Sequence, residues 1–183
     1  IKQQKGDKYV VAEFSAPEAV EEIARTNSGA VVRTKSGTRA LVEEIVKHEG
    51  LEDDLPVGRM SMYYDGLMFS ACLISFLAQE GKSLERILAQ LPEFHFSEGE
   101  AVCPWRMRGS VMSALANLST DAAPGQGVRI AHKYGWSLII PDAKRSIFKI
   151  YSEGFSSEYA NELTDIYVKK ISEIQQNRQE SKS

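Results

Sequence analysis

The chain has 183 residues with 22 basic and 25 acidic side chains, a formal net charge of -3, and 43% hydrophobic against 26% charged residues. At about 100 to 200 residues per domain this is one large domain or two small ones, and the balance argues against disorder. The acidic balance removes the overall attraction expected of a nucleic-acid binder, so no nucleic-acid partner is expected. The longest apolar run, Gly66 to Ala78, is broken by Ser70 and Ser75 and falls short of the roughly 20 residues needed to cross a bilayer. No membrane partner follows from it. Cys72 and Cys103 form no C-x-x-C pair, so reduced thiols and a cytoplasmic location are the simple reading. The chain starts at Ile1, without methionine, inside the polar stretch IKQQKGDK, as a piece cut from something longer would.

In chain order, Tyr9 to Phe14 is a β-prone run. SAPEAVEEIARTNSG follows, with Ser15 and Glu18 placed as a capping box around Pro17 and Asn27 to Gly29 as the stop. Ala30 to Arg33 is a second short apolar run. After the TKSGT turn, Leu41, Val42, Ile45 and Val46 recur at helical spacing. This β-α-β-α alternation predicts an α/β layer. A polar, acidic connector at Glu49 to Gly58 leads to a strand-like Arg59 to Tyr64. Asp65 is placed to cap a helix over Gly66 to Glu80 that is apolar on nearly every side, which predicts burial. Gly81 stops it, Ser83 caps a further helix to Leu91, and Pro92 closes that one. Pro92 to Glu100, PEFHFSEGE, reads as a linker.

The second half opens on AVCP. Val111, Met112, Leu115 and Leu118 mark an amphipathic helix, and STDAAPGQG is a loop. Gly127 to Ala131, Trp136 to Ile140 and Ile147 to Ser152 read as strands. Tyr159, Leu163, Ile166, Lys170 and Ile174 then recur at helical spacing, before a tail, QQNRQESKS, that lacks apolar residues and is expected to fray. The predicted fold is therefore α/β plus α+β: a mixed-sheet α/β domain over 1–91, then a small α+β domain over 98–183.

Two blocks carry a family resemblance. VVRTKSGTRALVEE at Val31 to Glu44 and YYDGLMFSACLISFLAQEGKSLERILAQLP at Tyr63 to Pro92, with GVRIAHKYGWSLIIP and IFKIYSE near the end, resemble the third and fourth domains of the α-D-phosphohexomutase superfamily, the phosphomannomutases and phosphoglucomutases. CPW with a following Gly and Met at Cys103 to Met112, and GW...PDA...IY at Gly135 to Tyr151, resemble more closely the mutase-like tails behind the nucleotidyltransferase domain of bacterial mannose-1-phosphate guanylyltransferase-type proteins. The resemblance implies a role in sugar-nucleotide metabolism, Mg²⁺ as the metal of the parent family, further N-terminal domains as partners, and a hexose phosphate or nucleotide sugar as ligand.

The departures from the family are specific. Relatives carry a phosphate loop of the type R-P-S-G-T-E-P. The aligned stretch here is Ile140-Pro141-Asp142-Ala143-Lys144-Arg145-Ser146, with Ile for the Arg, Asp for the Ser, Ala for the Gly and Lys for the Thr. A carboxylate beside a phosphate is repulsive, and a β-carbon at Ala143 limits the backbone conformations of an anion nest. The sugar-recognition motif E-x-S-G-H is replaced by LPVGRMSMYYDG at Leu55 to Gly66. Neither the family's serine loop nor its D-G-D-x-D metal loop occurs. No catalytic residue, metal ligand or resident cofactor is expected in this chain.

Three cations remain as substrate or phosphate-binding candidates. Lys35, in the turn Arg33 to Gly37, matches the family's ligand-reaching lysine; Lys144 and Arg145 sit in PDAKRS. Each also reads as a solvated loop charge. Arg106 and Arg108 put positive charge at a helix N-terminus, against the macrodipole, which an anion, an acidic neighbour or simple solvation would offset. Asp53 and Asp54 read as a solvated pair, and His48, His95 and His132 lack metal-ligand spacing.

Overall fold

The computed structural model describes residues 8–49, 63–119 and 127–180. The chain divides into two compact units, Ile1–Glu93 and Phe94–Ser183. Asp53, Asp54, most of the acidic connector, the STDAAPGQG loop beyond Ser119 and the side chain of His48 lie outside the described residues, as do residues 59–62 of the strand expected at Arg59 to Tyr64.

The first unit is built on strand β1 (Lys8–Glu13), helix α1 (Ala19–Thr26), strand β2 (Gly29–Thr34) and helix α2 (Thr38–Glu49). β1 and β2 pair in parallel, Tyr9 opposite Ala30 and Val11 opposite Val32. That pairing is what an intervening helix permits, since parallel strands need a crossover. Val11, Leu41 and Ile45 form its small core, with Val32 packed against them. The capping box is not made. Glu18 is the N-cap residue but caps no amide through its side chain, and the Ser15 hydroxyl donates to the Glu13 carboxylate instead. The helix ends as expected at Asn27, and it is Ser28 that takes the left-handed conformation, φ 57°.

Tyr63 and Tyr64 lie in a helical turn rather than a strand. Their hydroxyls donate to the carbonyls of Val11 (3.2 Å) and Thr38 (3.3 Å). Helix α3 (Gly66–Glu80) starts on Asp65, whose carboxylate accepts from the amides of Leu67 and Met68, and ends on Gly81 at φ 63°, a conformation open to glycine at little cost. Helix α4 (Leu84–Leu88) is capped by the Ser83 hydroxyl, which accepts from the Arg86 amide. The expected burial of α3 is corrected: none of its residues is buried, Leu67 is 85% exposed and Ile74 67%. Apolar composition states what a helix can bury, and only a facing layer realises it.

The second unit is a four-stranded antiparallel sheet in the order β3-β6-β5-β4, with β3 at His95–Val102, β4 at Val128–His132, β5 at Gly135–Pro141 and β6 at Ile147–Gly154. The linker expected at Pro92 to Glu100 is thereby corrected: most of it is edge strand β3, Phe96 opposite Glu153 and Ala101 opposite Phe148. Helices α5 (Arg108–Ala116) and α6 (Ser157–Glu180) supply the cover. Phe148, Ile150, Ile139, Ile130, Val128 and Ala101 from the strands meet Val111 and Leu115 of α5 and Tyr167 and Ile171 of α6 in one core. Gly99 sits where α6 comes close to β3; a β-carbon there would stand 2.5 Å from Cγ2 of Thr164. The buried stripe of α6 runs through Ala160, Leu163, Thr164, Tyr167 and Ile171, while Ile166 is exposed. The stripe expected through Ile166 and Lys170 is thus rotated by about one residue. The tail expected to fray is helical as far as Glu180.

Together these form a mixed α/β architecture with one parallel and one antiparallel sheet.

Candidate functional site

The loop Pro141 to Ser146 joins β5 to β6, which pair antiparallel on either side of it from Gly135 opposite Gly154 to Pro141 opposite Phe148. Its conformation follows from Asp142. One carboxylate oxygen, Oδ1, accepts from the backbone amides of both Lys144 and Arg145, each at 2.8 Å. The aspartate's own amide donates to the Ile147 carbonyl at 3.0 Å, and the Ile147 amide to the Arg145 carbonyl at 2.8 Å. An Asp at the head of a turn makes such bonds readily, because its short side chain reaches the amides two and three residues on. These two amide bonds, and then the charge of Arg145, hold the Asp142 carboxyl below its ordinary pKa.

Arg145 is spoken for as well. Its guanidinium forms a two-pronged pair with Glu100 of β3, at 2.6 and 3.2 Å, and stands 3.6 Å from Oδ2 of Asp142. The pairing raises the arginine's pKa, chiefly through the bond to Glu100. Lys144 is exposed at the loop tip. Arg145 and Lys144 therefore share no focus: one faces a carboxylate on the neighbouring strand and the other faces water.

The loop is also braced from α5, through a residue that sequence reasoning singled out for its charge but not for this role. Arg108 donates to the carbonyls of Arg145 and Ile147, the latter at 3.4 Å, and its guanidinium lies 3.7 Å over the ring of Trp105. Its charge at the helix N-terminus is thus offset by carbonyl dipoles and a π face. The Cys103 amide adds a bond to the Ser146 carbonyl at 2.8 Å. The side chain of Cys103 is buried, and burial pushes its thiol pKa up, away from nucleophilic chemistry.

In the first unit Lys35 is exposed on the turn after β2. The turn itself is fixed by a second carboxylate: Glu13 accepts from the Gly37 amide at 2.9 Å. Beside it, Arg33 is a strut. It pairs with both oxygens of Glu21 at 2.6 Å and donates to the carbonyls of Glu13, Ala16 and Pro17. Sequence position alone gave no sign of this, since three of its partners are backbone oxygens. Among the described residues no group of three or more His, Cys, Asp or Glu side chains is placed to hold a metal ion. Their donor set does not fit Mg²⁺, which wants several converging oxygens.

Residues 1–94 match the family described as phosphoglucomutase/phosphomannomutase, alpha/beta/alpha domain III. A probable phosphoglucosamine mutase of Methanopyrus kandleri is 29% identical over 177 residues, 92% of this chain and 39% of the relative. A phosphoglucomutase/phosphomannomutase of Thermococcus kodakarensis is 25% identical over 193 residues, 94% of this chain and 40% of its own length. Among solved structures, a phosphoglucomutase/phosphomannomutase family protein from Burkholderia thailandensis superposes with a TM-score of 0.67 at 13% identity, covering 92% of this chain and 38% of that one. The N-acetylphosphoglucosamine mutase of Aspergillus fumigatus, crystallised with GlcNAc-6P and magnesium, gives 0.64 at 13% identity over 93% and 40%. These likenesses show the fold. The chain spans about two fifths of the length of the curated relatives it matches.

Proposed function

Because the chain belongs to the phosphoglucomutase/phosphomannomutase family, we propose that it is the phosphohexomutase-like C-terminal region of a sugar-nucleotide biosynthesis protein, fused to a nucleotidyltransferase, and that it does not turn over hexose phosphates by itself. One observation carries the second half of this reading: the Asp142 carboxylate sits on the Lys144 and Arg145 amides while the Arg145 guanidinium sits on Glu100. A phosphate approaching this loop meets a negative charge on the amides it would need, and its strongest cation already neutralised.

Phosphoryl transfer needs a nucleophile, a metal and charge stabilisation around the moving group. The serine and D-G-D-x-D loops that supply the first two in the family are not in this sequence. What the chain's own residues do is structural: Asp142, Arg108 and Glu100 set a rigid connector between β5 and β6. The fusion half of the reading rests on the CPW and GW...PDA...IY patterns. Incubating the 183-residue chain with glucose 1-phosphate or mannose 1-phosphate, Mg²⁺ and the bisphosphate activator is expected to give no product, and sustained turnover overturns the reading.

A second reading is favoured by exposed Lys35 and by relatives named phosphoglucosamine mutases. In it the chain is a module that senses a hexose or hexosamine phosphate, or a nucleotide sugar, and adjusts the attached enzyme. Calorimetry with glucosamine 6-phosphate, hexose 1-phosphates and GDP-mannose separates the two: heat that disappears in Lys35→Ala supports sensing, and no heat supports the structural role. A segment of an active mutase, completed by other domains, is the third reading, and the same loop argues against it.

A further inference from the structure

Three side chains adjoining the β5–β6 loop, those of Trp105, Arg106 and Lys144, are not used by the readings above, and the brace Arg108 stands beside Trp105. Trp105 and Arg106 lie in the short 3-10 turn before α5, Arg108 begins α5, and Lys144 is at the loop tip. Arg108 links the Trp105 turn to the backbone of the loop, with its guanidinium against the Trp105 ring and its N–H groups on the Arg145 and Ile147 carbonyls. The indole is therefore backed by a fixed group, yet it is 54% exposed. An aromatic platform held in this way loses little freedom when something seats on it.

The charges around it are unbalanced. Arg106 and Lys144 are exposed, and among the described residues neither makes an ion pair. The two nearby carboxylates are already committed, Glu100 to Arg145 and Asp142 to the loop amides. There is no acidic residue in the first turn of α5. This local positive charge stands on a protein whose net charge is -3, so it is not a by-product of composition. Val102, at the end of β3 and paired in register with Ile147, adds an exposed apolar side chain to the same end of the sheet.

The geometry points to a docking surface for an acidic peptide segment, one that carries carboxylates around an apolar side chain, with the apolar group on Trp105 and the carboxylates at Arg106 and Lys144. A small inorganic anion would use the cations and leave the ring unused. Nucleic acid needs a broader basic field than two free cations provide. Tryptophan and arginine are the residues most enriched where protein contacts carry their energy, and complementary charge sets orientation and speed of encounter.

The chain's two tryptophans make the test direct, because Trp136 is buried and a change in the exposed-indole emission reports Trp105. The full chain is titrated with a synthetic peptide of aspartates and glutamates around a central leucine. A saturable blue shift at low salt is expected, weakening roughly tenfold or more as salt rises into the range where surface charges are screened. The same peptide with lysines in place of the acids should leave the emission unchanged. The double variant Arg106→Glu, Lys144→Glu should lose the binding while keeping its circular-dichroism melt; if it fails to fold, the neutral pair Arg106→Gln, Lys144→Gln replaces it, with a loss of about tenfold expected. No shift at about millimolar peptide, or undiminished binding by a folded double variant, overturns the proposal. Displacement of the peptide by inorganic phosphate at similar concentration also overturns it, in favour of a small-anion site.

Discussion

The antiparallel sheet of residues 94–183 and the parallel pair of residues 8–34 are both faced by helices, but they differ in how much the helices give up to them. In the second unit α5 and α6 bury Val111, Leu115, Tyr167 and Ile171 against the strands. In the first unit the most apolar segment of the protein, α3, has no fully buried residue, and Leu73 and Leu77 are only half-buried. Stabilisation comes from apolar area removed from water, and so the same kind of side chain is worth a great deal in α6 and little in α3.

The largest expected effect tests that contrast directly. Ile150→Ala, in the core of the second unit, should cost about 2–5 kcal/mol in urea unfolding. Leu67→Ala on α3 should stay within about 0.5 kcal/mol. Equal losses would mean that α3 is buried in solution. Next comes Arg33→Met, which removes a part-buried fork, takes the cation away from Glu21 and takes one donor from each of three carbonyls, two of which keep a backbone amide; roughly 1–3 kcal/mol is expected. Because both tryptophans lie in the second unit, this variant should lower the far-ultraviolet melt while the tryptophan-monitored melt moves little. Coincident shifts of the two would show the units to unfold as one.

A pH effect should sharpen the comparison further. Burial holds the His132 imidazole below its ordinary pKa of 6.5, with the Tyr167 hydroxyl 3.2 Å away. A depressed folded pKa contributes stability that is fully present above the ordinary value and is lost as pH falls through the lowered one. Acidification from neutrality should thus lower the tryptophan-monitored melting temperature, and His132→Gln should flatten that dependence. An unchanged slope in the variant would assign it to another group. The smallest effect is expected from Lys144→Ala with Arg145→Ala, since exposed ion pairs contribute little. Its melting temperature should stay close to that of the parent, as should any sugar-phosphate affinity the parent shows.

Much of the fold is legible in the residues because it is local. Asp65 and Ser83 announce their helices, Gly81 ends one, and the short apolar runs of β5 and β6 on either side of PDAKRS read as two strands. What is not legible depends on distant partners. Pro92 to Glu100 reads as a linker because Ser97, Gly99 and its glutamates interrupt its apolar residues, and Gly99 is there for the close approach of Thr164. Position 166 continues a helical spacing, yet the face that α6 buries is chosen by the strands beneath it. At the candidate site, the replacement of Ser by Asp142 reads as a charge that repels phosphate, but its bonds to two amides are not legible, because they require the loop's backbone path. Arg33 and Arg108 escape for the same reason: most of the bonds they donate go to carbonyls, which every residue carries.

The place of β3 has a consequence for synthesis on the ribosome. It is the first strand of its sheet to be made, and β6, its one neighbour among the described strands, is completed at Gly154, roughly 50 residues later. At about 5–20 residues per second that is a wait of about 3 to 10 s. β4 and β5 pair across a two-residue turn and β6 follows after a short loop, so these three can assemble in order of emergence. β3 must stay unpaired until they have done so. In that interval the backbone donors and acceptors of β3 that later pair with β6 have only water to bond to.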